Sequence, residues 1–318
     1  MSNFAPEKRL KEEKMDNKRP LLAHLSMFLA CAFWGLMAPL GKDAMTHGID
    51  GIDLVSFRVM GGAILFWITA LFVKKETVPT KDKLLFAAAA IFGLVCNQCL
   101  YTIGLSITSP VNSSIMTTSM PIFAMVLSFF ILKEPITLQK ALGVFIGCCG
   151  AVILIVTSAA AVSSKVGDIR GDLMCLGAQL SFALYLSLFN NLIKKYSVFT
   201  INKWMFLWAT LMIWPFTGFH IFNIDWAIIP MKTWWEAGYV VIFGTYMGYI
   251  LTMVGQHSLR PTVVSIYNYV QPIVSVTVSV LTGIGVFTVM QGIAVILVFS
   301  GVWLVIKSKS KRDLNTTK

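Results

Sequence analysis

Charge is what this chain has least of. Of 318 residues only 13% are Asp, Glu, Lys or Arg, against 56% hydrophobic, where a soluble domain carries about 25% charged residues. With a mean hydropathy of +0.74 there is too little polar surface to face water, so the bilayer is the solvent. Carboxylates are scarcer still within the apolar runs: Glu134, Asp172 and Glu236 stand at their ends. That weakens the case for proton coupling through a buried acid. There is no GxxxxGK[ST], so no ATP motor is encoded, and no HExxH or GxSxG. His24, His47, His220 and His257 are scattered near the expected membrane boundaries. An enzyme has little to work with here, and no metal or cofactor is implied. All six cysteines fall within apolar runs. Cys96 and Cys99 have CxxC spacing, but no second ligand pair completes a zinc site, so they read as small packing residues. No cleavage pattern follows the first apolar run, which is expected to act as an uncleaved anchor.

What is present is a series of apolar stretches. A spanning helix needs about 20 such residues. Ten stretches qualify, at 21–40, 53–73, 84–104, 109–132, 139–158, 173–193, 203–222, 236–255, 261–283 and 288–307. The polar segments 1–20 and 308–318 read as tails, the first of them disordered. The net charge of +11 does not point to nucleic acid, because no basic patch is interleaved with aromatics on a soluble element. Instead, 21 of the 26 Lys and Arg fall on one side of the predicted topology. This positive-inside bias places both termini in the cytoplasm of a multi-pass protein.

Pro110 to Pro121, Pro-Val-Asn-Ser-Ser-Ile-Met-Thr-Thr-Ser-Met-Pro, returns 151 residues later. Pro110 falls on Pro261, Ser114 on Ser265, Thr117 on Asn268, Pro121 on Pro272 and Ser128 on Ser279. A period this long marks a duplicated half, not a solenoid unit. The halves read as 21–158 and 172–307, joined by a small-polar linker at 159–171. Five helices per half make the second half enter from the opposite side. The expected fold is an all-α membrane protein of ten transmembrane helices in two inverted five-helix repeats, an arrangement that places a site near the midplane.

Proline lacks an N–H and frees the carbonyl four residues earlier. Behind Pro121 that carbonyl belongs to Thr117, and behind Pro272 to Asn268. A free carbonyl in lipid is costly, so both are expected to face protein or a wet cavity, with the prolines as hinges. Other polar or aromatic residues at this depth are Trp34, Asn97, Tyr101, Ser114, Gln179, Tyr185, Tyr246, Tyr249 and Ser265. Arg58 is the one charge well inside a span, with two readings open: a functional charge, or a side chain reaching to the surface. Gly143 and Gly147 have small-xxx-small spacing, which serves either packing within the chain or a homodimer face.

Taken together, Ala32-Phe33-Trp34-Gly35, Phe57-Arg58, Pro110 to Pro121, Lys133-Glu134-Pro135-Ile136-Thr137, Pro261 to Pro272 and Gly292 to Gly301 make 21–307 resemble the EamA-type branch of the drug/metabolite transporter superfamily. The resemblance implies an inner-membrane carrier of small metabolites, often an exporter, working by alternating access. It also implies a cavity lined by Trp34, Asn97, Tyr101, Thr117, Gln179, Tyr246 and Asn268. One departure is that Glu134 maps onto Gly285, where the family pattern usually has an acid.

The expectation is therefore a solute carrier with aromatic walls, neutral hydrogen-bonding groups and a small-molecule substrate such as an amino acid. A multiply charged anion would want several inward cations, and only Arg58 is available. A non-transporting receptor or assembly partner is the rival reading, with a membrane-embedded transferase behind it.

Overall fold

A computed structural model describes residues 5–108, 110–159, 168–222, 224, 226–281 and 288–309. Most of the 159–171 linker, the tail beyond 309 and Gly285 lie outside the described residues, as do the side chains of 5–19 and Ser279.

Among the described residues all regular structure is helical. The first half comprises α1 (Ala5–Thr46), α2 (Gly51–Ala70), α3 (Thr80–Ala90), α4 (Asn97–Ile107), α5 (Pro110–Thr117), α6 (Met120–Leu132) and α7 (Leu138–Ala159). The second comprises α8 (Ile169–Leu188), α9 (Asn190–Lys195), α10 (Val198–Ile221), α11 (Met231–Val241), α12 (Gly248–Ser258), α13 (Pro261–Ile266), α14 (Val270–Leu281) and α15 (Val289–Lys307). A π-helical turn, Ile91–Cys96, joins α3 to α4, and another, Ile242–Met247, joins α11 to α12. The helix starts are set locally. The Asp50 carboxylate accepts from the Ile52 and Asp53 amides in a reciprocal capping box, and Thr288 and Gln291 do the same for α15.

The 151-residue displacement holds for the elements themselves. α3, its π turn and α4 begin and end where α11, its π turn and α12 do, displaced by that number, and α5 and α7 begin where α13 and α15 do. The two halves also interlock. α1 packs on α11, α12 and α14, while α8 packs on α4, α5 and α6. Each half thus places its first helix inside the other half's bundle. Close approach needs missing side chains: a Cβ on Gly35 of α1 would stand 2.6 Å from the Gln271 carbonyl oxygen. The Gly143–Gly147 seam is taken up within the chain, packing α7 onto α15, where a Cβ on Gly301 would stand 2.6 Å from the Gly143 carbonyl oxygen.

The structure adds detail to the sequence reading in three places. α1 starts at Ala5, inside the segment expected as a tail, and its apolar part begins at Pro20; the early turns are rich in Glu, Lys and Arg, which are good helix formers. Eight helical runs among the described residues are long and apolar enough to cross a membrane, and these coincide with eight of the ten expected stretches. The 203–222 stretch falls in α10, and the described part of 261–283 is divided into two short helices, α13 and α14. Finally, the matched prolines divide their helices instead of merely bending them. α5 stops at Thr117, and the Thr118 and Ser119 amides turn back to Ile115 and Met116 at 3.0 and 3.1 Å. In the second half a 3-10 turn, Tyr267–Tyr269, occupies the matching place. Bonds three residues back tighten the backbone where the proline has removed the longer one.

Candidate functional site

The interlocked helices and the two interruptions border a narrow central cavity. From the first half it is lined by Trp34, Met37, Arg58, Asn97, Tyr101, Thr117 and Met120; from the second by Gln179, Phe182, Tyr249, Asn268 and Gln271. Thr117 and Asn268 are repeat mates, as are Met120 and Gln271, so the same two positions of each divided helix face the space.

Its polar ends are organised by the π turns. A π turn leaves carbonyls without helical partners, and cavity aromatics supply them. The Trp34 indole N–H donates to the Gly244 carbonyl at 2.8 Å, and the Tyr249 hydroxyl donates to the Gly93 carbonyl at 3.1 Å. Gly93 and Gly244 are themselves repeat mates. With their polar atoms engaged, Trp34 and Tyr249 offer ring surface. Trp34 meets Phe182 edge-on at 6.2 Å between ring centroids and Tyr249 at 6.3 Å, an arrangement that suits the ring quadrupoles. On the opposite wall, Asn97 donates to the Ala178 carbonyl at 3.0 Å, and Gln271 donates to Asn268 Oδ1 at 2.6 Å. The Asn268 amide in turn donates to the Ser265 carbonyl at 3.0 Å and lies against the Met120 sulfur.

Arg58 does not reach to the surface. It is 4% exposed; its Nε donates to Thr245 Oγ1 at 3.1 Å and an Nη to Thr102 Oγ1 at 2.8 Å. Both partners come from other elements, Thr102 from α4 and Thr245 from the α11–α12 π turn. Among the described residues no carboxylate lines the cavity.

Trp34, Asn97, Tyr101, Thr117, Gln179, Tyr249 and Asn268 are brought together at the cavity, with Arg58 beside them. Four residues singled out from the sequence stand elsewhere. Ser114 turns its hydroxyl back to the Pro110 carbonyl at 2.7 Å, and Ser265 does the same to Thr262 at 2.9 Å. Tyr185 is fully buried, its hydroxyl on Gln256 at 3.3 Å. Tyr246 pairs with the Thr69 hydroxyl and lays its ring tilted against Phe66. Short hydroxyl side chains can bond their own helix, as Thr117 also does on the Ser113 carbonyl at 2.9 Å while lining the cavity. Pro121 and Pro272 are buried rather than turned to lipid. Sequence reasoning missed Met37, Met120, Phe182 and Gln271. The last could have been found, since Met120 and Gln271 flank the matched prolines at one repeat position.

Residues 21–156 and 169–307 match the EamA-like transporter family. YetK, an uncharacterized transporter of Bacillus subtilis, is 21% identical over 298 residues, which is 93% of this chain and 90% of that protein. YyaM, another uncharacterized transporter of that organism, is 25% identical over 226 residues, 70% of this chain and 74% of its own. A WAT1-related protein of Arabidopsis thaliana is 21% identical over 94% of this chain and 86% of its own. One solved crystal structure superposes with a TM-score of 0.70 at 15% identity, covering 90% of this chain and 99% of the other; that likeness speaks to fold alone. Duplicated halves, a central cavity and apolar helices suited to the bilayer thus coincide with a family match over most of the length: the chain belongs to the EamA-like transporter family, within the drug/metabolite transporter superfamily, and is a multi-pass membrane transporter.

Proposed function

We propose that this chain is a secondary transporter that exports small metabolites such as amino acids across the cell inner membrane, by alternating access to the central cavity. In this reading ten helices span, α10 and the divided 261–281 segment included, and both termini are cytoplasmic. The halves are inverted with respect to one another. The observation that carries the proposal is the lining: repeat-related residues from both halves, Thr117 with Asn268 and Met120 with Gln271, meet at one space. A space shared between two equivalent halves can be opened to either side by rocking one against the other. Breaks next to Pro121 and Pro272 supply joints at which the helices can bend. The amino-acid assignment rests on the wall chemistry: aromatic faces for an apolar body, amides for hydrogen bonds, and a single cation that suits a zwitterion better than a polyanion.

The test is flux into liposomes holding the purified protein, across a panel of amino acids and related metabolites. Thr117→Leu puts a larger apolar side chain into the cavity at the end of α5, and flux of the transported compound is expected to fall at least tenfold while circular dichroism shows the protein still folded. Unchanged flux in Thr117→Leu, or no flux of any compound in the wild type, contradicts the proposal.

A further inference from the structure

We infer that Arg58 is the substrate's anion anchor: the transported compound carries one carboxylate, which sits on the Arg58 guanidinium while its apolar body lies against Trp34, Phe182 and Tyr249. This deepens the carrier reading above and rests on it.

A guanidinium has five N–H donors and keeps its charge at any physiological pH. Arg58 spends two of them on hydroxyl oxygens, those of Thr102 and Thr245. Neither partner carries charge, and among the described residues no carboxylate pairs with Arg58. A cation that is buried and unpaired in a membrane protein is expensive, and such groups pair, or face a cavity that takes the matching ion. Arg58 lines the cavity. Another cation of the first half, Lys42, is turned away: the ammonium caps the end of α4, on the Leu105, Ser106 and Thr108 carbonyls at 2.9, 2.7 and 2.9 Å. Among the described residues the cavity therefore presents one positive charge and no negative one.

That balance selects among ligands. A carboxylate matches the planar fork of the guanidinium with two parallel hydrogen bonds. A compound with two or more negative charges would leave the excess unpaired. A cation without a carboxylate would be repelled. A second, positive group on the ligand has aromatic faces to rest on. The two threonines fix the guanidinium plane from two different helices, so the anchor is oriented before the substrate arrives.

A purely structural Arg58, tying α2 to α4 and to the α11–α12 π turn, would be indifferent to what occupies the cavity. The experiment uses pairs that differ only at the carboxylate: L-phenylalanine with L-phenylalaninamide, and L-leucine with L-leucinamide. Flux into liposomes and Trp34-dependent fluorescence quenching are read for each. The wild type is expected to prefer the carboxylate member at least tenfold, a measurement that needs no variant. Arg58→Gln is expected to erase the preference by weakening the carboxylate member alone, and Arg58→Lys to keep part of it. Far-ultraviolet circular dichroism and elution in detergent check that the variants are folded. If the wild type moves both members of a pair equally, or folded Arg58→Gln keeps the preference within twofold, the anchor is wrong while the carrier reading stands. If the wild type moves neither member of any pair, nor any other compound, the carrier reading fails and takes the anchor with it.

Discussion

At the scale of single residues, the cavity is governed by where each side chain spends its polar atom. Trp34 and Tyr249 spend theirs on the carbonyls of two π turns, and so present rings; Ser114 and Ser265 spend theirs on their own helices and stand away from the cavity. Trp34→Phe keeps most of the ring and removes the N–H. The Gly244 carbonyl then loses its side-chain partner. The expected loss is about 0.5–1.5 kcal/mol of stability, read as a lower melting temperature in detergent, with a weaker hold on aromatic substrates. Tyr249→Phe should behave alike through Gly93, since the two carbonyls are repeat mates. If either change leaves the melting temperature untouched, the π-turn carbonyls are satisfied by something else. Much of the residue scale was legible in advance. Thr117 and Asn268 stood out because a proline frees the carbonyl at each, and Arg58 because a charge in lipid demands a reason. Tyr185 and Tyr246 were not separable from Tyr249 by depth alone: all three sit in apolar runs, and only packing decides which ring reaches the centre.

Helices tell a second story, about spacing. α7 and α15 approach so closely that Gly143 and Gly301 have no room for a side chain. The obstacle is backbone, which cannot swing aside. Gly301→Leu is expected to destabilise by about 1–3 kcal/mol through overpacking. Gly238 on α11 is the control, because a Cβ there meets nothing within 4 Å. Gly238→Ala is expected to be neutral or to stabilise by up to about 1 kcal/mol, through lower chain entropy in the unfolded state. Thermal unfolding of both variants side by side checks the pair; equal losses would contradict the packing described. The elements with the least advance warning were the π turns, though a signal was there. Ile91-Phe92-Gly93 and Ile242-Phe243-Gly244 are the same tripeptide at the 151-residue displacement, inside stretches that otherwise read as uniform apolar helix. Periodicity is blind to one extra residue in a turn, whereas an internal repeat is not. The divided helices were half legible: proline marked the place, but a kink and a full stop look alike until backbone bonds are known.

Across the whole molecule, the two interlocked halves are tied by ion pairs at repeat-related places. Asp43 at the end of α1 holds Lys232 at the start of α11 at 2.7 Å. Lys195, following α8, holds Asp82 at the start of α3 at 2.5 Å, and the Tyr196 hydroxyl shares that carboxylate. The Asp82 hydrogen bond raises the Lys195 pKa above its ordinary value, so this tie stays charged at neutral pH. In the proposed inverted arrangement the two ties would lie on opposite faces of the membrane. Lys232→Ala and Lys195→Ala are expected to shift access to the cavity in opposite directions, by roughly two- to fivefold, as loss of an exposed ion pair allows.

Access to the cavity from each face is the most direct test of this account. In a chain with its six cysteines replaced, Gln271→Cys places a thiol at the central space, and a membrane-impermeant thiol reagent is added to one face or the other of sealed, oriented vesicles. The account predicts labelling from both faces, with the balance moved one way by Lys232→Ala and the other way by Lys195→Ala. A thiol that is reached from neither face, or from the same single face in all three proteins, would contradict it.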